Sequence, residues 1–311
     1  MNSRCCPQIS RIRQRYGRFA RVVLQSRQER RGNQPCQYPV STYPLEVREE
    51  GISIEYPSVC IKETLSGKGG IVDLWYYFHE QIDDAALLAA QEALMTLDEH
   101  ARYRSYHFEH DRRMFVATRA LVRTVLSRYA AVAPSEWRFL PGKYGKPRVA
   151  HPDVAPPIYF NLANTLGLVV CALSVAHESI GVDVERIDRK TEILDLADRY
   201  FSHSEVRALR ALPSSERLRR FVAIWTLKES YIKARGLGLT QPLDQFSFLL
   251  DQEEIGVAFD ESMADDATRW RFALLDSAPH HMIAVGADTG GLALSLRTAH
   301  IVPLLGNGLQ G

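Results

Sequence analysis

Residues 180–185 of this 311-residue chain read Ile-Gly-Val-Asp-Val-Glu, an aliphatic run broken by two acids. Side chains of a β-strand alternate between its two faces, so the three aliphatic residues share one face while Asp183 and Glu185 share the other. Two neighbouring carboxylates repel each other unless a cation or a proton lies between them. The stretch predicts a strand that packs through one face and either binds a cation or meets solvent through the other.

Residues 225–233 read Trp-Thr-Leu-Lys-Glu-Ser-Tyr-Ile-Lys, which favours a helix. Trp225, Glu229 and Lys233 are spaced four residues apart, so they lie along one side of that helix. A carboxylate there can complete the oxygen ligands that Mg²⁺ prefers, and an ammonium can neutralise the charge of a departing phosphate. Considered alone, each segment is more often ordinary: a solvated strand face, and a Glu–Lys helix pair worth about 0.2–0.5 kcal/mol.

Taken together, about 40 residues apart and in this order, the two segments resemble the two signature motifs of the Sfp-type 4′-phosphopantetheinyl transferases, members of the holo-acyl-carrier-protein synthase superfamily. The resemblance extends over roughly residues 72–300. It includes Tyr-Gly-Lys-Pro at 144–147, Phe-Asn-Leu at 160–162, Phe-Ser with a following Glu at 201–205, and Gly-Leu-Gly-Leu at 236–239. This combination is far more specific than either motif alone.

The resemblance implies an α+β fold of two pseudo-symmetric α/β halves, with the active site in the cleft between them. A weak internal repeat agrees, since residues 113–121 and 219–227 are identical at five of nine positions. Such a repeat fits two halves that each place a long helix against a sheet. The expected organisation is a disordered basic tail and linker at 1–70, an N-terminal half at 71–175, a C-terminal half with the metal site at 176–300, and a tail at 301–311.

The activity implied by the resemblance is transfer of 4′-phosphopantetheine from coenzyme A to a serine of an apo acyl or peptidyl carrier protein, with release of 3′,5′-ADP. The enzyme is expected to be of the holo-[acyl-carrier-protein] synthase type and to depend on Mg²⁺, with Mn²⁺ as a substitute. By resemblance, Asp183, Glu185 and Glu229 hold the metal, and Asp183, Glu229 and Lys233 are catalytic. The proton of the serine passes either to Glu229 or to a metal-bound hydroxide, a step worth about 10²–10⁴-fold in rate.

Coenzyme A is expected to bind through Lys146, Pro147, Asn164, Thr165, Lys228 and Lys233. The chain departs from the family at residues 163–165, which are Ala-Asn-Thr in place of Ser-His-Ser, and at Met114, where many relatives have arginine. Loss of a charge-assisted contact to the 3′-phosphate would weaken binding by roughly 1–3 kcal/mol.

Arg112 and Arg113 are predicted to compensate for that loss, and Trp225 is predicted to pack beneath the site. The alternative reading is a catalytically weakened paralogue that binds coenzyme A or a carrier protein without efficient turnover. A nucleotide-triphosphate phosphotransferase is disfavoured, because the chain contains no Gly-x-x-x-x-Gly-Lys-[Ser/Thr] loop.

Composition favours a cytoplasmic protein. The net charge is +1, which argues for neither nucleic acid nor membrane as a partner, and no window approaches 18 uninterrupted apolar residues. The five cysteines include no Cys-x-x-Cys pair, which disfavours zinc and fits a reducing compartment. Because both halves belong to one chain, a monomer is expected, whereas one-half members of the superfamily need a trimer.

The basic charge is concentrated at the start of the chain. Residues 1–35 contain nine arginines against one acid, Glu29, so residues 36–311 carry a net charge of −7. An Arg-rich, acid-poor start is typical of organelle transit peptides, of disordered tails, and of residues upstream of a natural start codon.

Overall fold

Eleven strands and six α-helices are formed by the residues that the computed structural model describes, namely 70–188, 192–238, 241–277 and 280–305. The Arg-rich segment and most of the predicted linker lie outside the described residues. The helices are α1 (Ala85–Glu92), α2 (Leu97–Arg104), α3 (Glu109–Leu126), α4 (Ile193–Tyr200), α5 (His203–Ala211) and α6 (Ser214–Arg235). The strands are β1 (Ile71–Tyr77), β2 (Arg138–Pro141), β3 (Pro147–His151), β4 (Tyr159–Thr165), β5 (Leu168–Ser174), β6 (Ile180–Arg186), β7 (Phe246–Leu249), β8 (Gly256–Phe259), β9 (Trp270–Ser277), β10 (His281–Asp288) and β11 (Ser295–His300).

Two sheets and two long helices form the framework. The first sheet has the order β11-β1-β5-β4, and the second has the order β6-β10-β9. Helix α3 packs on the first sheet around Leu121 and Val125, and helix α6 packs on the second around Leu227 and Phe221. The predicted α+β fold with two similar halves is confirmed.

Aliphatic side chains from both sheets meet in one core between them. Val72, Val170, Val182 and Val285 belong to it, one each from β1, β5, β6 and β10. Full burial of such a side chain contributes about 1.5–3 kcal/mol. Because β6 uses its even-numbered residues here, its odd-numbered residues must face α6, as the alternation in the sequence predicts.

The internal repeat corresponds to the two long helices. Residues 113–121 lie on α3 and residues 219–227 lie on α6. The four identical apolar positions are buried in both: Phe115 and Phe221, Val116 and Val222, Ala117 and Ala223, Leu121 and Leu227. The identical residues of the repeat are therefore the ones through which each helix packs into the core of its own half.

Four elements were missed in the sequence: helix α2, strands β2 and β3 on either side of the loop at residues 142–146, and strand β8. Helix α2 begins at a capping box in which Thr96 and Glu99 bond each other's backbone N–H groups, a Thr-x-x-Glu signature that is readable in the sequence. Strand β8 is a four-residue partner of β7. The N-cap of α5 is Ser202, because Ser202 and Glu205 form the capping box.

The end of the chain returns to the first half. Strand β11 pairs in parallel with β1, so sheet membership does not follow the boundaries proposed for the two halves. A tail was expected from residue 301 onward, but Ile301 and Val302 are buried beside α3. The carbonyl of Pro303 also accepts a hydrogen bond from Gln91 Nε2 at 3.2 Å. Apolar burial extends the fold to these residues.

A buried ion pair fastens β11 to β1. Asp73 is fully buried and accepts two hydrogen bonds from the opposite Arg297, from Nε at 2.6 Å and from Nη2 at 2.8 Å. Tyr129 donates a third at 2.5 Å. Burial raises the pKa of Tyr129 well above its usual range, and the Asp73 carboxylate adds to that rise, so the phenol keeps its proton.

Replacing Asp73 by alanine is expected to lower the free energy of unfolding by about 2–3 kcal/mol, less than for a wholly buried pair because Arg297 keeps some contact with water. Urea denaturation followed by circular dichroism measures the loss. Asp251→Ala is the matched control, since its pair with Arg220 is exposed and is expected to contribute less than about 0.5 kcal/mol. Equal losses in the two variants would contradict the buried role.

Candidate active site

Strand β6 and helix α6 touch through Gly181. A Cβ atom at this position would lie 2.0 Å from the carbonyl oxygen of Ser230 and 2.4 Å from the nitrogen of Ala234. Only a residue without a side chain lets the two backbones approach this closely. The contact places Asp183 and Glu185, on the same strand face, beside the C-terminal half of α6.

Opposite charges meet at this contact. Asp183 is 1% exposed and Glu185 is 7% exposed. The Lys233 ammonium donates to Asp183 Oδ1 at 2.6 Å, which satisfies part of the requirement that a buried carboxylate be paired. Glu229 lies one turn earlier on the same helix and is half-buried. The structure therefore brings Asp183 of the strand to Lys233 of the helix, and the wider grouping with Glu185 and Glu229 stays a prediction.

A cavity of about 280 Å³ opens beside these residues. Glu229 and Lys233 line it from the second half, while the loop at residues 144–147 lines it from the first. Asn161, Leu162, Ile232, Gly236 and Gly238 complete the lining. Of the predicted binding residues, Lys146, Pro147 and Lys233 reach this cavity.

Lys146 joins the two halves instead of pointing free into the cavity. Its ammonium donates to the carbonyl of Ile180 at 2.9 Å and to that of Ala234 at 3.3 Å. The second acceptor belongs to the last turn of α6, where carbonyls lack helical partners and a cation is favoured. Burial lowers the pKa of Lys146 to about 8, opposed by the nearby Glu178. Lys146 thus positions the loop over the cavity.

Replacing Lys146 by methionine is expected to increase deuterium uptake of the loop amides at residues 142–146 in the ligand-free protein. The reason is that the loop loses both of its hydrogen bonds to β6 and α6. Hydrogen exchange with mass spectrometry measures the change, and Lys143→Met on the exposed neighbour is the control. Unchanged uptake in Lys146→Met would show that the lysine acts only on a bound ligand.

Lys228 does not lie on the phosphate side, contrary to the prediction. Its side chain is 1% exposed, and its ammonium lies 2.8 Å from Glu205 Oε2 and donates to the carbonyls of Leu243 and Phe246. Burial lowers the pKa of Lys228, and the Glu205 carboxylate opposes that shift. Because Glu205 also caps α5, this lysine connects α6 to the neighbouring elements and stays away from the cavity.

The predicted 3′-phosphate residues are engaged elsewhere. Asn164 Nδ2 donates to Thr118 Oγ1 at 3.4 Å. Arg112 pairs with Glu109 at 3.0 Å, and Arg113 donates to the carbonyl of Ile82 at 2.8 Å. Neither arginine lines the cleft cavity, and neither does Thr165, the last residue of β4. The predicted compensation by the two arginines therefore requires them to leave these contacts.

Two further residues pack or bond near the elements of the site. Trp225 packs against Tyr200 and Phe221, with ring centroids 5.8 and 6.0 Å away, and its place beneath the site stays a prediction. Asn161 was not predicted to be functional. Its Oδ1 accepts the backbone N–H of Val182 at 2.9 Å and so ties β4 to β6. A buried polar residue in an apolar strand is the signal that identifies it.

Asp183 and Glu185 offer the hard oxygen ligands that divalent cations such as Mg²⁺ accept. Within the described part of the chain, however, no three His, Cys, Asp or Glu side chains are grouped closely enough to hold a metal. Lys233, a cation, is the partner seen at Asp183. The donor chemistry fits a divalent metal, and the three-carboxylate metal site stays a prediction.

The chain was compared with protein families and with known proteins, and the matches include the two segments of the site. Residues 179–285, which include β6 and α6, match the model described as the 4′-phosphopantetheinyl transferase superfamily. The chain is 32% identical to 4′-phosphopantetheinyl transferase HetI of Nostoc over 52% of this chain and 68% of that protein. It is 38% identical to 4′-phosphopantetheinyl transferase Sfp of Bacillus subtilis over 48% of this chain and 63% of that protein.

A solved structure, holo-[acyl-carrier-protein] synthase of Thermotoga maritima, matches 35% of this chain and 61% of that chain at 19% identity. Its TM-score of 0.29 is too low to support a comparison of the two folds.

The chain spans about two thirds of the length of the curated relatives it matches. No helix in the described ranges is long and apolar enough to cross a membrane. Identity above 30% over two thirds of HetI, together with the β6–α6 geometry, shows that the chain belongs to the 4′-phosphopantetheinyl transferase superfamily and to its Sfp type.

Proposed function

We propose that this protein transfers 4′-phosphopantetheine from coenzyme A to a serine hydroxyl of an apo acyl or peptidyl carrier protein, in a Mg²⁺-dependent reaction that releases 3′,5′-ADP. The observation that carries the proposal is the contact of the buried Asp183 with Lys233, which lines the cleft cavity together with Glu229. Because this arrangement holds both charge signs next to open space, it supports reaction at a pyrophosphate of high negative charge.

In the proposed reaction the serine oxygen forms a bond to the phosphorus that carries the pantetheine. The bond from that phosphorus to the oxygen of the 5′-phosphate breaks, and 3′,5′-ADP leaves. Glu229 takes the serine proton, since it is the carboxylate that lines the cavity. Lys233 also lines the cavity, and its ammonium balances the charge that develops on the departing phosphate.

Asp183, Glu185 and Glu229 would hold the metal ion. When bound, Mg²⁺ would neutralise charge on the pyrophosphate oxygens. Asp183 is held in place by β6 and by the Lys233 ammonium at 2.6 Å, which supports this role. Lys146 holds the loop that covers the cavity, and Pro147 forms part of that cover.

Mass spectrometry of an apo carrier protein after incubation with this protein, coenzyme A and Mg²⁺ tests the proposal. A gain of one phosphopantetheine on the carrier serine is expected, and it is expected to disappear on chelation of the metal. No gain on acyl and peptidyl carriers, with coenzyme A still bound, would support the weakened paralogue instead. The engaged Asn164 and the apolar Met114 are the observations that favour that second reading.

A further inference from the structure

Strand β6 is the edge strand of the second sheet, and half of its backbone groups point away from that sheet. Among the described residues it has one strand partner in that sheet, β10. At one end of the pair, the Asp288 amide donates to the Ser179 carbonyl at 3.0 Å. At the other end, the Ile187 amide donates to the His280 carbonyl at 2.9 Å. Because bonded positions alternate along an antiparallel ladder, odd-numbered residues of β6 bond β10, and even-numbered residues turn their backbone groups away.

Two side chains of the first half take up these outward groups. Lys146 donates to the carbonyl of Ile180 at 2.9 Å, and Asn161 Oδ1 accepts the N–H of Val182 at 2.9 Å. The two bonds replace those that a further strand would make to β6. Since a buried backbone group without a partner is costly, they fix the place of β6 against the first half.

Asn161 is directed towards β6 by its position on β4, the edge strand of the first sheet. Its neighbours Phe160 and Leu162 pack in the core of the first half, whereas Ala163 belongs to the core between the two sheets. By alternation, Asn161 shares the face of Ala163. It is 4% exposed and lines the cleft cavity, so its bond to Val182 lies at the cavity wall.

The bond reaches Asp183 through a single peptide unit. Val182 directly precedes Asp183, and neighbouring Cα atoms are held about 3.8 Å apart by the planar peptide. On its helix side, β6 is stopped by the close contact of Gly181 with α6. The position of Asp183 is therefore set from two sides, by the helix and by the carboxamide of Asn161.

We propose that Asn161 is a positioning residue for the transfer reaction, which acts through Val182 to set the distance between Asp183 and the first-half wall of the cleft. The inference rests on the proposed function, because its consequence is a rate of transfer. Misplacement of a reacting group by about 1 Å can lower a rate by about 10²-fold, so one bond to this strand has a measurable effect.

Asn161→Ala tests the proposal, since it removes the acceptor and leaves room for a water at the Val182 N–H. The kcat for transfer is expected to fall about tenfold to a hundredfold, while the KM for the carrier protein stays within about threefold. Hydrogen exchange resolved to single amides is the second measurement. In the ligand-free variant, the Val182 amide is expected to exchange at least about tenfold faster than in the unaltered protein.

Asn161→Asp is the conservative variant, because a carboxylate has a similar shape and still accepts the Val182 N–H. Its Val182 amide is expected to exchange within about threefold of the unaltered rate. Its kcat is also expected to stay within about threefold, and its added negative charge is expected to raise the KM for coenzyme A.

Gln91→Ala is the matched control for a loss of stability alone. Gln91 is also a buried carboxamide of the first half, and it bonds the hydroxyl of Tyr77 and the carbonyl of Pro303, neither of which belongs to β6. Because this site is independent of β6, kcat and the exchange of the Val182 amide are expected to stay within about twofold of their unaltered values.

A kcat loss in Asn161→Ala no greater than in Gln91→Ala would overturn the positioning role, and so would equal kcat losses in Asn161→Ala and Asn161→Asp. If the unaltered protein transfers nothing, the proposed function fails, and hydrogen exchange decides the role of Asn161. Faster exchange of the Val182 amide in Asn161→Ala, but not in Asn161→Asp, would then support the hold on β6. Equal exchange in all variants would overturn it.

Discussion

Replacing Asp183 by asparagine is expected to lower the rate of phosphopantetheine transfer by about 10³-fold or more, comparable to the loss of one preorganised group at a reacting oxyanion. Asparagine keeps the size of the side chain but removes its negative charge. The metal would lose an anionic ligand, and Lys233 would lose the oxygen that it contacts at 2.6 Å. Both losses would weaken the stabilisation of negative charge on the pyrophosphate.

The loss should be chemical and not a failure to fold. Lys233 is 23% exposed, so its ammonium can turn towards solvent when the carboxylate is gone. Transfer rates by mass spectrometry, Mn²⁺ binding by calorimetry and the melting temperature separate the two causes. Asp153→Asn, an exposed acid after β3, is the matched control and is expected to transfer at the normal rate. Retention of more than a tenth of the rate by Asp183→Asn would remove this residue from the mechanism.

Replacing Gly181 by alanine is expected to lower the free energy of unfolding by about 3 kcal/mol or more, at or above the upper end of the usual cost of overpacking. The added methyl group would lie 2.0 Å from the Ser230 carbonyl oxygen and 2.4 Å from the Ala234 nitrogen. Both are backbone atoms of α6, so no side chain can move aside. The helix must shift as a whole, and it carries Glu229 and Lys233 away from Asp183.

Urea denaturation and the transfer assay together measure this effect. The matched control is Gly256→Ala on β8, where the nearest atoms would lie 3.4–3.5 Å from the new methyl group, at ordinary contact distance. That variant is expected to unfold within about 0.5 kcal/mol of the unaltered protein. If Gly181→Ala is equally stable and active, then β6 and α6 are not held at the distance described here.

Local patterns predicted much of the fold. Strands β1 and β5 and helices α3, α4 and α6 can be recognised from the sequence, because each carries an apolar pattern of its own. Helix α2 was missed because it is short and polar and is defined by its capping box. The place of β11 in the first sheet could not be predicted, because its partner β1 lies more than 200 residues earlier in the chain.

For the binding residues, too, the sequence predicts local features but not contacts between distant parts of the chain. A motif identifies residue types and spacing, and it put Glu229 and Lys233 on one side of a helix. A motif does not predict which of these side chains other helices and strands will bury. Lys228 is next to Glu229 in the sequence, yet its side chain is buried against Glu205, while Lys146 bridges two backbone segments that the sequence separates widely.

The alternation of residues 180–185 was enough by itself to bring Asp183 and Glu185 onto one strand face, because the period of a strand is a local property of the backbone. Likewise, the four-residue spacing paired Glu229 with Lys233. Only the tertiary structure decided that these two faces meet, since that depends on the close contact of α6 with Gly181. It also decided which lysines reach the cleft, because burial depends on every element that packs around a side chain.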